Sequence, residues 1–371
     1  MAADPHLQQA HDLLDAVATN AEARLALIRQ LENLYTFAPL INRTRRRDIG
    51  SFTVRKPETI AVDFTPEQAT LYHDLLDLIG RILAHRHGDM NLQFMLTTVR
   101  RQLASCVFGL APLLEAVLHR HLSQIELSEV GDDDTPDELG DVLAEFRGDV
   151  ERLIQQAHNL KGPDPKLEAF LTTIRNKQKL PNNKLLVFST FRHTLAYLVE
   201  HLADESVRAG LIHGNVPDDE RRELRHRFSL AKENPQALDV LLSSEVGCEG
   251  LDFQFCDGLV NYDLPWNPMR VEQRIGRIDR YGQKSETVAI YNFITPGTVD
   301  AEIYERCLLR IGVFRQALGG SEEILGQITR EIRDIAENLT LSPEEQSNRL
   351  QQLADNQIRA IQEQAKLEED Q

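Results

Sequence analysis

The chain has no place for a disulfide framework or a cysteine-based metal cluster. Its four cysteines, Cys106, Cys248, Cys256 and Cys307, are widely spaced and form no Cys-x-x-Cys pair, which fits a reducing compartment and no metal site. No apolar run reaches the roughly 18 residues a membrane span needs. The start, MAADPHLQQAHDLLDA, lacks the basic segment and apolar stretch of a secretion signal. These absences point to a soluble, cytoplasmic protein with no membrane partner. An excess of positive charge is absent too, since 41 Lys and Arg face 58 Asp and Glu for a net charge of −17. A polycation that coats nucleic acid is thereby excluded, because acidic surface repels a phosphate backbone, and any nucleic-acid contact must be local. There is also no Gly-x-x-x-x-Gly-Lys-Ser/Thr phosphate loop, for no glycine in the chain is followed by lysine.

What is present suits a chain of 371 residues with a core of its own, 42% of it hydrophobic. From Asp4 to about Leu40 apolar residues recur at helical spacing, and the basic run NRTRRRDIG (Asn42–Gly50) follows. Arg43, Arg45, Arg46 and Arg47 read either as a phosphate contact or as a solvated basic turn. TPEQ then supplies Thr65 as N-cap, Pro66 at the first helical position and Gln68 to close a capping box, so a helix should start there. Helical patterns continue to about Leu160, broken by the acidic stretch Glu126 to Asp141, which reads as a solvated loop.

Beyond KGPDPK (Lys161–Lys166) the period changes. Short runs rich in Val, Ile and Leu, at Lys184–Ser189, Arg208–Gly214, Leu238–Ser244, Asp257–Asp263 and Thr287–Phe293, alternate with amphipathic segments. That alternation predicts buried parallel strands with crossover helices, a doubly wound α/β domain whose ligand edge is the carboxyl ends of the strands. From Ser321 to Gln371 the composition is that of helix.

Within this domain EQRIGRIDRYGQ (Glu272–Gln283) stands out. If Asn267 to Arg280 is largely helical, Val271, Ile275 and Ile278 share one stripe at about 100° per residue, and Gln273, Arg277 and Arg280 lie roughly opposite. Arginine suits an anion because its planar fork binds phosphate oxygens bidentately. The competing reading is a surface helix whose arginines pair with Glu272 and Asp279. Gly276 in mid-helix marks a close approach or a helix end.

LLVFSTFRHTL (Leu185–Leu195), LLSSEVGCEGLDFQFCDGLVNYDLPWNP (Leu241–Pro268) and QRIGRIDRYGQ, taken in order, resemble motifs IV, V and VI of superfamily-two helicases of the SWI/SNF type. The branch they look most like is the bacterial RNA-polymerase-associated ATPases. The resemblance implies a RecA-like second helicase lobe over residues 166–318, a helical protrusion over 61–165, the end of the first lobe or a connector over 1–60, and a helical tail over 319–371. It also implies that the phosphate loop and the Mg2+ site belong to a first lobe outside this chain, which alone would then be inactive. By the same resemblance, Gln273 and Arg277 would contact the γ-phosphate of ATP and Arg280 would be the arginine finger. Asp252, with the flexible backbone at Gly250, would meet the ribose or couple nucleotide to nucleic acid, although Gly-Cys-Glu-Gly-Leu-Asp departs from the family's Gly-Gly-x-Gly-x-Asn. Ser189, Thr190, Arg192, His213, Gly214, Ser243 and Ser244 would face a nucleic-acid backbone. For the serines an ordinary N-cap is an equal reading, and for His213 a satisfied histidine at a strand end. The implied activity is ATP-driven translocation on double-stranded DNA, with RNA left open and a polymerase or other complex as partner. The alternative is a non-catalytic scaffold lobe that binds nucleic acid or a polymerase.

Overall fold

A computed structural model describes residue 27 and residues 53–85, 90–118, 145–309, 312, 322–338 and 341–369. The run Arg43–Arg47, the acidic stretch Glu126–Asp141 and, apart from residue 27, the helical reading of Asp4–Leu40 lie outside the described residues. Two compact units divide the chain, Thr53–Ile358 and a second made of Met1–Phe52 with Arg359–Gln371. In the second unit the described residues, residue 27 and residues 359–369, are helical.

The larger unit is built on one six-stranded sheet. Its strands are β1 (Val54–Ala61), β2 (Leu185–Phe188), β3 (Ala209–Ile212), β4 (Val240–Ser243), β5 (Gly258–Asn261) and β6 (Thr287–Ile294), in the order β1-β6-β5-β2-β4-β3. Every neighbouring pair is parallel. β2, β4 and β5 are buried at all positions. Since successive side chains of a strand point to opposite faces, both faces of the sheet are covered there. The chain runs from β2 out to β3, returns to β4, and then crosses to β5 and β6 on the other side of β2. This reversal is the switch point of a doubly wound α/β fold, and it lies at the carboxyl ends of β2, β4 and β5. The five strands expected from the apolar runs are all present.

The sixth strand corrects the division drawn at residue 60. Residues 54–61 do not stand apart as a connector: they form edge strand β1, which pairs with β6 from Val54↔Thr287 to Ala61↔Ile294. Charged residues and Pro57 hide the strand in the sequence, but they suit an edge, where one side of the backbone needs no partner and proline is tolerated.

From β1 the chain leaves the sheet, among the described residues, through the helices α1 (Pro66–His85), α2 (Met90–Ser105), α3 (Leu110–Leu118) and α4 (Arg147–His158). They share an apolar cluster that includes Leu71, Leu75, Ile82, Leu103, Leu110 and Leu153. The start of α1 is capped as its sequence requires. Gln68 N–H donates to Thr65 Oγ1 at 3.3 Å, and Thr65 N–H donates to Gln68 Oε1 at 3.0 Å. Thr65→Ala is expected to lower stability by about 1 kcal/mol, read as a fall in the urea midpoint at unchanged slope.

These helices are stitched to the sheet domain by buried polar groups. α5 (Pro165–Gln178) begins beside the end of α2, where Lys166 Nζ donates to the carbonyls of Ala104 (3.1 Å) and Ser105 (2.9 Å). Burial pushes the Lys166 ammonium down from its ordinary value, against the pull of Asp263, Cys106, Asp164 and Asp300. On α6 (Arg192–Asp204), Thr194 meets Gln102 and Ser105 of α2. The crossover helix after β3 is α7 (Asp218–Ser229), and the one after β5 is α8 (Pro268–Ile275). After β6 come the short α9 (Val299–Ile303), then α10 (Glu322–Glu337) and α11 (Pro343–Glu369). α10 is no free tail: it packs on α8 and α2, with Ile328, Ile332 and Ala336 buried.

Candidate phosphate-directed site

α8 starts where its sequence says it should. Asn267 is the N-cap, its Oδ1 accepting the Met269 N–H at 2.8 Å, and Pro268 occupies the first turn. The helix ends sooner than expected, at Ile275 with Gly276 as its C-cap, and residues 276–280 form turns. Val271, Ile275 and Ile278 are fully buried, as the stripe requires, while Gln273 and Arg280 are exposed and Arg277 is half-buried.

The acids beside these residues are taken by an arginine from far away in sequence. Arg55 of β1 reaches Asp279 through Nε at 2.7 Å and grips both oxygens of Glu272 through Nη1 and Nη2 at 3.0 and 3.2 Å. Glu272 and Asp279 thus pair with Arg55 rather than with Arg277 or Arg280. Gln273 and Arg280 have no side-chain partner among the described residues, and Arg277 Nη1 donates only to the Leu251 carbonyl, at 3.3 Å.

The turn that carries Arg277 and Arg280 is held firmly. Phe253 N–H donates to Arg277 O at 2.9 Å, and Gln283 Nε2 donates to the carbonyls of Cys256 (2.8 Å) and Ile278 (2.9 Å). It is therefore fastened to the β4–β5 connection and the residues entering β5. The carboxyl ends of the strands belong to a different cluster.

That cluster is centred on Arg274, which the motif reading passed over. It is 1% exposed and lies between the ends of β2, β4 and β5. Nε and Nη2 donate to Glu245 Oε1 at 3.0 and 2.7 Å, Nη1 to Asn261 Oδ1 and the Asp263 carbonyl at 3.1 and 2.7 Å, and Nη2 to Thr190 Oγ1 at 3.1 Å. All five donors of the fork are used. Arg270, one turn earlier, bonds the other oxygen of Glu245 at 2.8 Å. Asp263 accepts from Ser105 Oγ at 2.6 Å, from Thr190 N–H at 2.8 Å and from Ser189 Oγ. Burial alone would push the Asp263 carboxyl up, but Arg274 and these three donors outweigh it and hold the group below its ordinary value. A sequence signal for the hub exists: Arg274 occupies the i+3 position of the stripe Val271, Ile275 and Ile278, where an apolar residue belongs.

This network engages, inside the protein, four of the residues expected to meet a nucleic-acid backbone. The hydroxyls of Ser189 and Thr190 turn inward to Asp263 and Arg274. Ser243 Oγ donates to the Ser244 carbonyl at 2.6 Å, and Ser244 Oγ accepts the Gly247 N–H at 3.2 Å. All four side chains are buried, where a hydroxyl must find a protein partner, and none faces solvent. Arg192, His213 and Gly214 stay at the surface, and Arg192 and His213 line an open groove with Leu211. Arg192 has no side-chain partner among the described residues, and His213 Nδ1 accepts the Asn215 N–H at 3.3 Å.

The loop after β4 joins the two clusters. Gly247 passes so close to β3 that a Cβ would lie 2.6 Å from the Ile212 carbonyl oxygen, and Gly250 has φ of +74°, which glycine adopts without strain. Asp252 is engaged by Arg225 of α7, from Nη2 to Oδ1 at 2.5 Å and from Nε to its carbonyl at 2.9 Å. The structure thus brings Gly250 and Asp252 beside Arg277, and sets Arg192, His213 and Gly214 apart from it.

A parallel six-stranded sheet with this switch point, and three sequence-distant segments meeting around α8, form a doubly wound α/β domain. Residues 165–282 match the helicase conserved C-terminal domain. Over 287 residues the chain is 29% identical to an uncharacterized ATP-dependent helicase, YqhH, of Bacillus subtilis, covering 77% of this chain and 45% of that protein. It is 40% identical over 125 residues to the RNA polymerase-associated protein RapA of Yersinia enterocolitica, covering 33% of this chain and 12% of that one. Among solved structures, the C-terminal part of the Fun30 ATPase domain aligns with a TM-score of 0.46 at 14% identity, over 76% of this chain and 99% of that chain. The chain spans less than half the length of these curated relatives. Among the described residues no helix is long and apolar enough to cross a membrane.

Proposed function

We propose that this chain is the second lobe of an ATP-driven translocase on double-stranded DNA, with Gln273 and Arg277 directed to the γ-phosphate of ATP and Arg280 as its arginine finger. The observation that carries this reading is the state of the turn. Its exposed amide and guanidinium have no side-chain partner among the described residues although two acids stand beside them in sequence, and the backbone beneath is fixed by Gln283 and Phe253. An unpaired arginine on a rigid turn is a preorganised anion contact. Bound ATP supplies the phosphoanhydride bond. The residues of this chain add charge and position, which suits phosphoryl transfer, where the protein's part is chiefly electrostatic. Asp252 holds Arg225 through Oδ1 and its peptide carbonyl, leaving Oδ2 for a ribose hydroxyl. By the resemblance to the helicases, Mg2+ would be held mainly by the first lobe.

Nucleic acid then lies along Arg192, His213 and Gly214, near the carboxyl ends of β2 and β3. A guanidinium and a backbone N–H grip phosphate without reading sequence, as a motor on any DNA requires. RNA polymerase is a candidate partner because some relatives bear that association in their name. The cytoplasm is the setting that follows from it.

The deciding experiment measures ATP hydrolysis by the protein containing both lobes, with duplex DNA, single strands, RNA or none. Stimulation by duplex is expected. No hydrolysis above background under any of these conditions would leave the scaffold reading in its place, and equal rates with and without nucleic acid would count against a nucleic-acid motor. Arg192→Ala should weaken binding to all duplexes alike and reduce the salt slope of log K by about 1.

A further inference from the structure

α2 ends inside the molecule rather than at its surface. Its last residue, Ser105, is buried, and its Oγ stands 2.6 Å from Asp263 Oδ2 and 3.0 Å from Thr194 Oγ1. A hydroxyl has one proton to give, and the ionised Asp263 carboxylate can only accept, so the directions follow. Ser105 donates to Asp263, Thr194 donates to Ser105, and Gln102 Nε2 donates to Thr194 Oγ1 at 3.1 Å. Three aligned hydrogen bonds end on one carboxylate. The Oδ2 that takes Ser105 also takes Ser189 Oγ from the end of β2, and Oδ1 takes the Thr190 N–H at 2.8 Å. Arg274 closes the group from α8, bonding the Asp263 carbonyl at 2.7 Å and Thr190 Oγ1 at 3.1 Å, with Nη2 3.8 Å from Asp263 Oδ1. Asp263 is thus the group that Ser105 and Arg274 have in common.

We infer that Ser105 is a positioning residue for α8: from the end of α2 it fixes the Asp263 carboxylate around which Thr190 and Arg274 pack, and so ties the helical region α1–α4 to the helix that leads into the phosphate-directed turn. The tie is independent of what the turn binds; its effect on turnover rests on the proposed ATP reading. Without the Ser105 hydroxyl, Oδ2 keeps one hydroxyl donor of two in a buried site, where a lost hydrogen bond to a charge is costly. The carboxylate then turns toward the donors that remain, and these belong to the segment that holds Arg274. Arg274 stands three residues before Arg277, so a change at the end of α2 reaches the turn without touching it.

The test reads amide hydrogen exchange in the full chain by mass spectrometry. In Ser105→Ala, exchange over residues 268–275 should rise severalfold, with residues 189–192 following. Ile154→Val loosens the apolar cluster of the same helical region without touching the hub, and it should leave residues 268–275 as in the wild type. An equal rise in I154V would mean general destabilisation and would overturn the inference. Asp263→Asn should raise the same exchange by itself, and S105A added to D263N should change it little further, because the shared carboxylate is already gone. Additive effects of the two substitutions count against the inference, as does wild-type exchange over residues 268–275 in folded S105A. Should S105A fail to fold, S105C, which keeps a side chain of similar shape with a weaker donor, carries the test with the same two outcomes. In the two-lobe enzyme S105A is expected to lower kcat by about 10-fold, the size of effect a small misplacement produces, with KM for ATP nearly unchanged. Raised exchange in S105A, together with a wild-type two-lobe protein that lacks ATPase activity, would sink the proposed function and keep this inference. ATPase activity in the wild type with unshifted exchange in S105A would do the reverse.

Discussion

Arg280→Ala in the two-lobe enzyme is expected to lower kcat for ATP hydrolysis by about 10³-fold or more, with the Kd for ATP within a few-fold of wild type. A loss of that size is roughly 4 kcal/mol of transition-state stabilisation. The reason lies in the difference between neighbouring arginines. Arg274 has all five donors committed inside the protein and Arg277 has one bond to Leu251, whereas Arg280 has no partner among the described residues. A free guanidinium contributes most where charge grows during reaction, and little to ground-state binding. Arg280→Lys keeps the charge but loses the fork, and it should fall between the two. Steady-state kinetics with a separate measurement of nucleotide binding reads both quantities. Turnover unchanged in R280A would remove the finger assignment.

Arg274→Met is expected to cost about 3–5 kcal/mol of stability, because it takes the buried counter-charge from Asp263 and one of two guanidiniums from Glu245. Urea unfolding of the full chain measures this loss. The acid limb of the stability profile gives an independent reading. Asp263 has a folded-state pKa held below its ordinary 3.8, so its contribution is complete above that value and is lost as pH falls through the folded one. In R274M the chief cation is gone and burial dominates. The carboxyl then rises, and the loss should begin at a higher pH than in the wild type. Asp263→Asn should flatten this limb instead. Equal stability of R274M and wild type would show that the hub does not hold the strand ends together.

The hub also explains why the contacts expected of motifs IV and V were only half legible. A serine at a strand end is compatible with an N-cap, a phosphate grip or a buried hydrogen bond. Ser189 and Thr190 take the third course because Asp263 arrives beside them from the end of β5. Nothing local to LLVFSTFRHTL encodes that arrival. Arg192 lies two and three residues further on, already on α6, and stays at the surface. The same contrast holds within motif VI. The apolar stripe was readable as three buried residues, and the arginine inside that stripe was visible in principle, but its five partners come from other segments.

The sequence by itself determined the elements that depend on near neighbours. These are the five buried strands with their Val, Ile and Leu runs, the Thr65–Gln68 capping box, the Asn267–Pro268 start of α8 and its apolar stripe, each fixed by period or by a bond spanning a few residues. Only the tertiary structure decided that residues 54–61 join the sheet, that Arg55 takes the acids of the turn, and which hydroxyls face inward. The physical reason is that a buried polar group accepts whichever partner packing delivers, and Arg55 and Asp279 are 224 residues apart until the sheet closes.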